Sequence, residues 1–147
     1  MNPILERGFR FHDHTADITI ECWAPDLIDA FGQAALATFE VILDTSTVKP
    51  AETIEVKVTG ADLEELLVEW IGELIALIDI NGQFFSEFHV DHIEATMDGY
   101  LLEGRVLGES IDHKKHDTRT EVKAMTYADI KILEEPNRTT LWFTLDL

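Results

Sequence analysis

Residues 60–82 read GADLEELLVEWIGELIALIDING, and this stretch decides the fold. Asp62 is followed three positions later by Glu65, the spacing of a helix-capping pair, and Asn81-Gly82 supplies residues that tolerate the positive φ at which helices end. Between these signals the apolar side chains recur at helical spacing and cover more than half of the circumference, which predicts the central core helix. They are Leu63, Leu66, Leu67, Trp70, Ile71, Leu74, Ile75 and Ile78.

A second helix is predicted upstream of this one, after a short strand. Residues 17–24 alternate apolar and polar side chains, a pattern typical of a half-buried strand. Pro25-Asp26 interrupts the alternation, and Asp26 can cap a helix that ends before Asp44. The helix carries several alanines, which indicate close packing against a sheet.

The other segments carry strand patterns. Asp98-Gly99 predicts a two-residue hairpin turn. Two long helices after isolated strands, followed by hairpins, indicate the α+β class rather than regular βαβ units. We therefore expect a single domain over residues 1–147, a two-layer sandwich of two main helices on a mostly antiparallel or mixed sheet. The further strands are expected at 53–59, 84–90, 93–97, 100–107, 122–133 and 139–147.

The composition excludes several classes of protein. The 147 residues include 29 Asp and Glu and 11 Lys and Arg, so the formal charge is −18. This excess argues against a primary grip on nucleic acid, because phosphate binding needs clustered cations. Contact with RNA is therefore expected through a basic partner. A hydrophobic content of 46% is too high for a disordered acidic chain.

The sequence also bears on the cellular compartment. Carboxylates interrupt the apolar stretch 63–80, which excludes a membrane span there. The N-terminal residues show no secretory signal, and the single cysteine, Cys22, cannot form an internal disulfide. A cytoplasmic protein is expected. Cys22 lies on the alternating apolar face of its strand and is predicted to be a core residue rather than a nucleophile.

Histidines are the first candidates for metal ligands. A zinc site needs several ligands converging on one tetrahedron, and one cysteine with no four-ligand spacing does not support it. His89 and His92, three apart in a predicted strand, should point to opposite faces. We interpret the histidines as surface or hydrogen-bonded residues. They form three sequence pairs: His12 and His14, His89 and His92, His113 and His116.

Two carboxylates stand out by position. Asp17 lies where a loop enters a strand, and Asp146 is penultimate, beside Leu147 with its terminal carboxylate. Hard cations such as Ca²⁺ or Mg²⁺ take carboxylate and carbonyl oxygens, so the three groups could build an oxygen-rich site if the two strand ends meet. From spacing alone, a capping aspartate and a frayed chain end are the simpler interpretation.

Several segments, in collinear order over nearly the whole chain, resemble the archease family. HTADI at 14–18 and EVKAMTY at 121–127 are together fairly specific. The similarity also covers 29–39, DLEELLVEW at 62–70, FSEF at 85–88, HKKH at 113–116 and LDL at 145–147.

This resemblance implies a function. Archeases stimulate an RtcB-type RNA ligase, which joins tRNA halves after intron removal, by promoting its guanylylation and its multiple turnover. The resemblance implies an activator rather than an enzyme, with tRNA reached only indirectly through the ligase. It implies a divalent cation, Ca²⁺ or another such as Mg²⁺ or Mn²⁺, bound by Asp17, Asp146 and Leu147. Lys123 is implied as a contact to the partner or the nucleotide, and the fold as strand–helix–strand–strand modules.

Two other functions stay open at this point. A chaperone-like binding module for RNA-modifying enzymes, such as a tRNA methyltransferase, would act without a metal ion. A small metal-dependent phosphoester hydrolase would turn over substrate without any partner, but the sequence has no clustered motif of catalytic carboxylates and a base.

Overall fold

A computed structural model of the chain describes residues 6–13 and 15–147. Residues 1–5, part of the stretch examined for a secretory signal, and His14 lie outside the described residues. The helices are α1 (Leu27–Ile42) and α2 (Leu63–Asn81), and a short 3₁₀ turn follows α1 at Thr45–Thr47. The strands are β1 (Gly8–Asp13), β2 (Asp17–Ala24), β3 (Glu52–Gly60), β4 (Gln83–Thr96), β5 (Gly99–Ser110), β6 (Ala124–Glu135) and β7 (Arg138–Asp146).

The strands form two sheets, and every pairing is antiparallel. One sheet has four strands in the order β1-β2-β7-β6, and the other has three in the order β3-β5-β4. Helix α1 contacts β2 and β4, and α2 contacts β3 and β6, so each helix joins both sheets. The α+β class predicted from the sequence is confirmed. The single mostly antiparallel or mixed sheet of that prediction is divided into two.

Both predicted helix starts are confirmed. The Asp26 carboxylate accepts the backbone N–H of Asp29, and the Asp62 carboxylate accepts that of Glu65, each at 2.8 Å. Each bond satisfies one of the donors that a helix leaves unpaired at its first turn. Gly82 ends α2 at φ +62°, the left-handed conformation that a residue without Cβ adopts at no steric cost.

The core lies where the two helices meet the sheets. Trp70 of α2 is fully buried, and its Nε1–H donates to the Phe31 carbonyl oxygen of α1 at 3.0 Å. Phe39 of α1 packs its ring against Phe85 and Phe88 of β4, with centroids 5.8 and 4.9 Å apart. The fully buried alanines of α1 allow this close approach: Ala30, Ala34, Ala35 and Ala37.

The largest departure from the sequence prediction is β4. The separate strands expected at 84–90 and 93–97 form one strand, Gln83–Thr96, with register shifts at Ser86 and Asp91. Each shift inserts one extra residue, which reverses the side-chain alternation beyond it. The prediction that His89 and His92 face opposite sides is therefore wrong, because their partners on β5, Arg105 and Glu103, are two residues apart on one face.

Two further findings concern single elements. Strand β1 was not predicted, although Phe9 and Phe11 alternate with Arg10 and His12, and it pairs with β2 over its whole length. In the described part of the chain, neither helix has the combination of length and apolar content needed to cross a membrane.

Candidate functional site

The residues predicted to bind a cation meet where β2 begins and β7 ends. In the antiparallel register, Asp17 pairs with Asp146, residues that are 129 positions apart in sequence. The backbone N–H of Leu147 donates to the Ala16 carbonyl oxygen at 3.1 Å, and that of Lys123 donates to the Asp146 carbonyl oxygen at 2.9 Å. We refer to Asp17, Lys123, Asp146 and Leu147 as the strand-end site.

Asp17 carries the polar atom that most needs a partner. Its Oδ1 is buried and has no hydrogen-bond partner among the described residues. A buried carboxylate oxygen without a partner loses its hydration without compensation, which is unfavourable. Native structures satisfy most such atoms through a protein group, a water or an ion, so the Asp17 Oδ1 is a buried oxygen that a cation would satisfy. Asp146, in contrast, is exposed.

The donor set at the strand ends fits a hard cation. Carboxylate and main-chain oxygens are the ligands that Ca²⁺, Mg²⁺ and Mn²⁺ take, and Asp17 and Asp146 supply carboxylates from adjacent strands. The family resemblance implies main-chain oxygen at Leu147 as a third donor. In residues 6–13 and 15–147, no group of three or more His, Cys, Asp and Glu side chains is arranged to hold a metal ion. A cation here would therefore depend on main-chain oxygen and water as well.

Lys123 reaches the strand-end site through its backbone. Its side chain is exposed and makes no ion pair within the described part of the chain. Lys123 also lines a cavity of about 250 Å³ between α2 and β6, together with Gly72, Ala76, Asp79 and Met125. Lys123 is thus joined to the strand-end site by its backbone, and its side chain borders the cavity next to α2.

Sequence reasoning did not single out Tyr127, four residues after Lys123. The β6–β7 pairing breaks between Thr126 and Lys131, so residues 127–130 bulge out of the sheet, with Asp129 at φ +59°. Tyr127 is 63% exposed. Partial desolvation and the negative charges of Glu65, Glu69 and Asp62 at the start of α2 raise the pKa of its phenol. The irregular β6–β7 pairing brings this ring to those carboxylates, and no pattern in the sequence predicts that irregularity.

Four of the five described histidines pair with neighbouring groups rather than converging. His12, His89 and His92 lie within 3.7 Å of a Glu carboxylate, those of Glu21, Glu87 and Glu103 respectively. Their interpretation as surface or hydrogen-bonded residues is confirmed for these three. The predicted pair of His12 with His14 falls outside the described residues.

His116 differs from the other histidines because its side chain is fully buried. The Asp112 backbone N–H donates to its Nδ1 at 3.0 Å, so the ring proton is on Nε2, which donates to Glu109 Oε2 at 2.9 Å. Glu109 also accepts from the Lys115 Nζ and the Lys49 backbone N–H. These bonds, that from His116 foremost, lower the pKa of Glu109 to about 2.

Cys22 is fully buried, as predicted. Its thiol donates to the Ala30 carbonyl oxygen at 3.8 Å. Desolvation, and secondarily the charge of Glu21, raises the pKa of this thiol far above its ordinary range. A thiol that stays protonated is not a nucleophile.

Comparison with known proteins gives a consistent family. The profile of the archease protein family (MTH1598/TM1083) matches residues 9–147. The curated protein archease of Sulfurisphaera tokodaii is 45% identical over 139 residues, covering 95% of this chain and 98% of its own length. That of Pyrococcus abyssi is 43% identical over 131 residues, covering 89% and 92%.

Solved structures give the same fold. The solution structure of Methanobacterium thermoautotrophicum protein 1598 superposes with a TM-score of 0.80 at 38% identity, covering 95% of this chain and 99% of that one. The crystal structure of a Thermotoga maritima protein, described as an archease and possible chaperone, gives a TM-score of 0.55 at 19% identity. It covers 92% of this chain and 94% of its own, and at that identity it supports the fold alone.

Proposed function

This chain belongs to the archease family, and we propose on that basis that it activates an RtcB-type RNA ligase in tRNA splicing. The protein would act as an auxiliary factor that promotes guanylylation of the ligase and its multiple turnover, without joining RNA itself. The observation that carries the proposal is the unpartnered, buried Asp17 Oδ1 opposite Asp146, within a chain of this family.

The strand-end site supplies the chemistry that such a role needs. Guanylylation transfers GMP from GTP to the ligase and releases pyrophosphate, and catalysis of that step is mostly positioning and neutralisation of charge on phosphate oxygens. A divalent cation bound there would supply that neutralisation. Asp17 and Asp146 would hold it with main-chain oxygen at Leu147, and Lys123 would contact the partner or the nucleotide.

The charge of the chain supports a basic partner. A formal charge of −18 creates a negative field that speeds encounter with a basic, RNA-binding surface. Carboxylates at the start of α2, those of Asp62, Glu65 and Glu69, act on the exposed Tyr127 and raise its pKa. This surface would meet cationic side chains of the ligase.

The test is transfer of labelled GMP to the RtcB-type ligase of the same organism, with this protein at substoichiometric concentration. We compare wild type with Asp17→Asn, which keeps the size of the side chain and removes its charge. The matched control is Asp98→Asn, which removes one carboxylate at the exposed β4–β5 turn. We expect faster labelling with wild type and the control, and a loss of at least tenfold with Asp17→Asn.

The outcomes separate the parts of the proposal. Stimulation that survives Asp17→Asn would retain the activator role and remove the cation from it. A ligase that is folded and competent but not stimulated by wild type would overturn the activator role.

A chaperone-like role is the second candidate, since the Thermotoga maritima neighbour carries that description. It predicts suppressed aggregation of an RNA-modifying enzyme such as a tRNA methyltransferase, unaffected by chelation of metal ions. Proteins that hold unfolded chains use contiguous apolar patches. Among the described residues, the large apolar side chains that are exposed are scattered, which favours the ligase activator: Phe11, Ile80, Met97, Tyr127 and Leu133.

A further inference from the structure

A cavity of about 410 Å³ lies beside the C-terminal half of α2. One wall is α2 itself, and the opposite wall is the segment 118–122 that precedes β6. This segment is fixed at both ends, because the Arg119 backbone N–H donates to the Ile42 carbonyl oxygen at 2.8 Å and that of Lys123 donates to the end of β7. We call this space the Ile78 cavity.

Hydrocarbon lines most of the Ile78 cavity. Three of the apolar side chains that line it are nearly fully buried, and three isoleucines are half-buried, so part of their surface faces the cavity. A concave space of this size with apolar walls and a few polar groups is typical of a binding site for a small ligand. The nearly buried residues are Ile42, Phe84 and Val122, and the half-buried ones are Ile75, Ile78 and Ile111.

The charges that line the Ile78 cavity do not balance. Asp79 of α2 and Glu121 of the opposite wall are exposed, and neither carboxylate has an ion pair or hydrogen bond among the described residues. Arg119 is already engaged, because its guanidinium donates to the Glu40 carboxylate at 3.1 Å and to the Glu40 carbonyl oxygen at 2.6 Å. The remaining titratable group is His113, and an exposed histidine is mostly neutral at pH 7.5. Two negative charges are therefore left without compensation.

The end of α2 adds to this negative potential. A helix carries the equivalent of about half a negative charge at its C-terminus, where cationic side chains are favourable. The last turn of α2 has no basic residue and contains Asp79 instead. Lys123 lines the smaller adjoining cavity together with Asp79, but it forms no ion pair in the described chain. A cation bound beside Asp79 would relieve a repulsion that the fold leaves in place.

We propose that the Ile78 cavity binds a linear polyamine, a chain of methylene groups that carries two or more ammonium groups. The isoleucines would cover the methylene groups, and the ammonium groups would lie against Asp79 and Glu121. A metal ion makes no use of hydrocarbon walls, and an anionic ligand would meet uncompensated carboxylates. The two unpaired carboxylates, one on each wall, favour a ligand with two charges over a single ammonium group, such as a lysine side chain of a partner.

The first measurement is isothermal titration calorimetry with 1,3-diaminopropane, 1,4-diaminobutane and 1,5-diaminopentane at pH 7.5 and about 0.15 M KCl. At this ionic strength the Debye length is about 8 Å, which screens the field of distant charges. The three diamines carry the same two charges, so a general counterion effect does not favour the longer ones. Burial of the added methylene groups predicts binding that becomes about fourfold tighter for each.

The second measurement locates the site. The double variant Asp79→Asn, Glu121→Gln removes both unpaired carboxylates. Because an exposed charge pair contributes up to about fivefold in affinity, this variant should bind 1,5-diaminopentane about 20-fold more weakly. The matched control is Glu73→Gln, Glu94→Gln, which removes two exposed carboxylates that line neither cavity and should bind within about twofold of wild type. Urea unfolding checks that both variants are folded.

Three outcomes would overturn the polyamine assignment. They are no saturable binding by wild type, an affinity that does not rise from 1,3-diaminopropane to 1,5-diaminopentane, and equal losses in the two double variants. Butylamine that binds as tightly as 1,4-diaminobutane would instead assign the cavity to a single ammonium group, such as a lysine of a partner. Asp17→Asn should bind the diamines as wild type does, so failure of this inference and failure of the proposed activator role are distinguishable.

Discussion

His116 and Asp17 both bury polar atoms, and the structure treats them in opposite ways. Both ring nitrogens of His116 are bonded, one to the Asp112 backbone and one to Glu109. The Asp17 Oδ1 has no bond within the described residues. A saturated buried group fixes its own loop and adds stability, whereas an unsaturated one lowers stability until something binds. The loop after β5 is thus saturated, whereas the strand-end site keeps a buried oxygen whose cost a bound cation would offset.

The largest effect on stability is expected from removing the His116 side chain, whose polar atoms are all bonded. His116→Ala removes both hydrogen bonds of the buried ring and its edge-on contact with the Phe84 ring, at a centroid distance of 5.5 Å. We expect a loss of about 3 kcal/mol in the free energy of unfolding, measured with urea. His113→Ala, three residues away and exposed, is the control and should change it by less than about 0.5 kcal/mol. Equal effects would contradict the structural role of His116.

The stability contributed by the Asp17 site should depend on a bound cation instead. With a chelator present, Asp17→Asn should leave the free energy of unfolding unchanged or raise it, because a buried charge is removed. At 100 times the Kd of Ca²⁺, wild type should gain about 2.7 kcal/mol and the variant nothing. The melting temperature with and without Ca²⁺ measures this, with Asp98→Asn as control. A wild type that Ca²⁺ does not stabilise would remove the cation from this site.

The smallest effect concerns pH. The hydrogen bonds from His116 and Lys115 hold the pKa of Glu109 at about 2, below its ordinary value of 4.5. A lowered carboxyl pKa stabilises the fold above that ordinary value, and the contribution is lost as pH falls from 4.5 towards 2. Glu109→Gln should therefore make the free energy of unfolding fall less steeply as the pH is lowered through this range.

Urea midpoints at pH 3 and pH 7 measure this change. Glu55→Gln on β3, whose exposed carboxylate has no hydrogen bond in the described chain, is the control. If both variants reduce the acid loss of stability equally, the Glu109 hydrogen bonds do not cause that loss.

Local signals predicted the helices well. The caps at Asp26 and Asp62 and the stop at Gly82 act within a few residues, so the sequence carries them fully. Bulges are different, because one inserted residue at Asp91 leaves no mark on composition yet reverses the faces of His89 and His92. Strand β1 also carries a local signal, because Phe9 and Phe11 alternate with Arg10 and His12.

The strand-end site shows the limit for distant residues. Spacing marked Asp17 and Asp146 but could not pair two strands 129 positions apart, and only the family resemblance united them before the structure.

The bulges of β4 affect the tendency of the protein to aggregate in a concentrated solution. At 14 residues, β4 is the longest strand, and it lies at the edge of the three-stranded sheet. A long, regular edge invites a second chain to add a strand, which leads to aggregation. The irregularities at Ser86 and Asp91 interrupt its row of hydrogen-bonding groups, and Gly32 of α1 approaches the Phe88 carbonyl. The bulges and the helix together deprive a neighbouring molecule of the continuous template it would need.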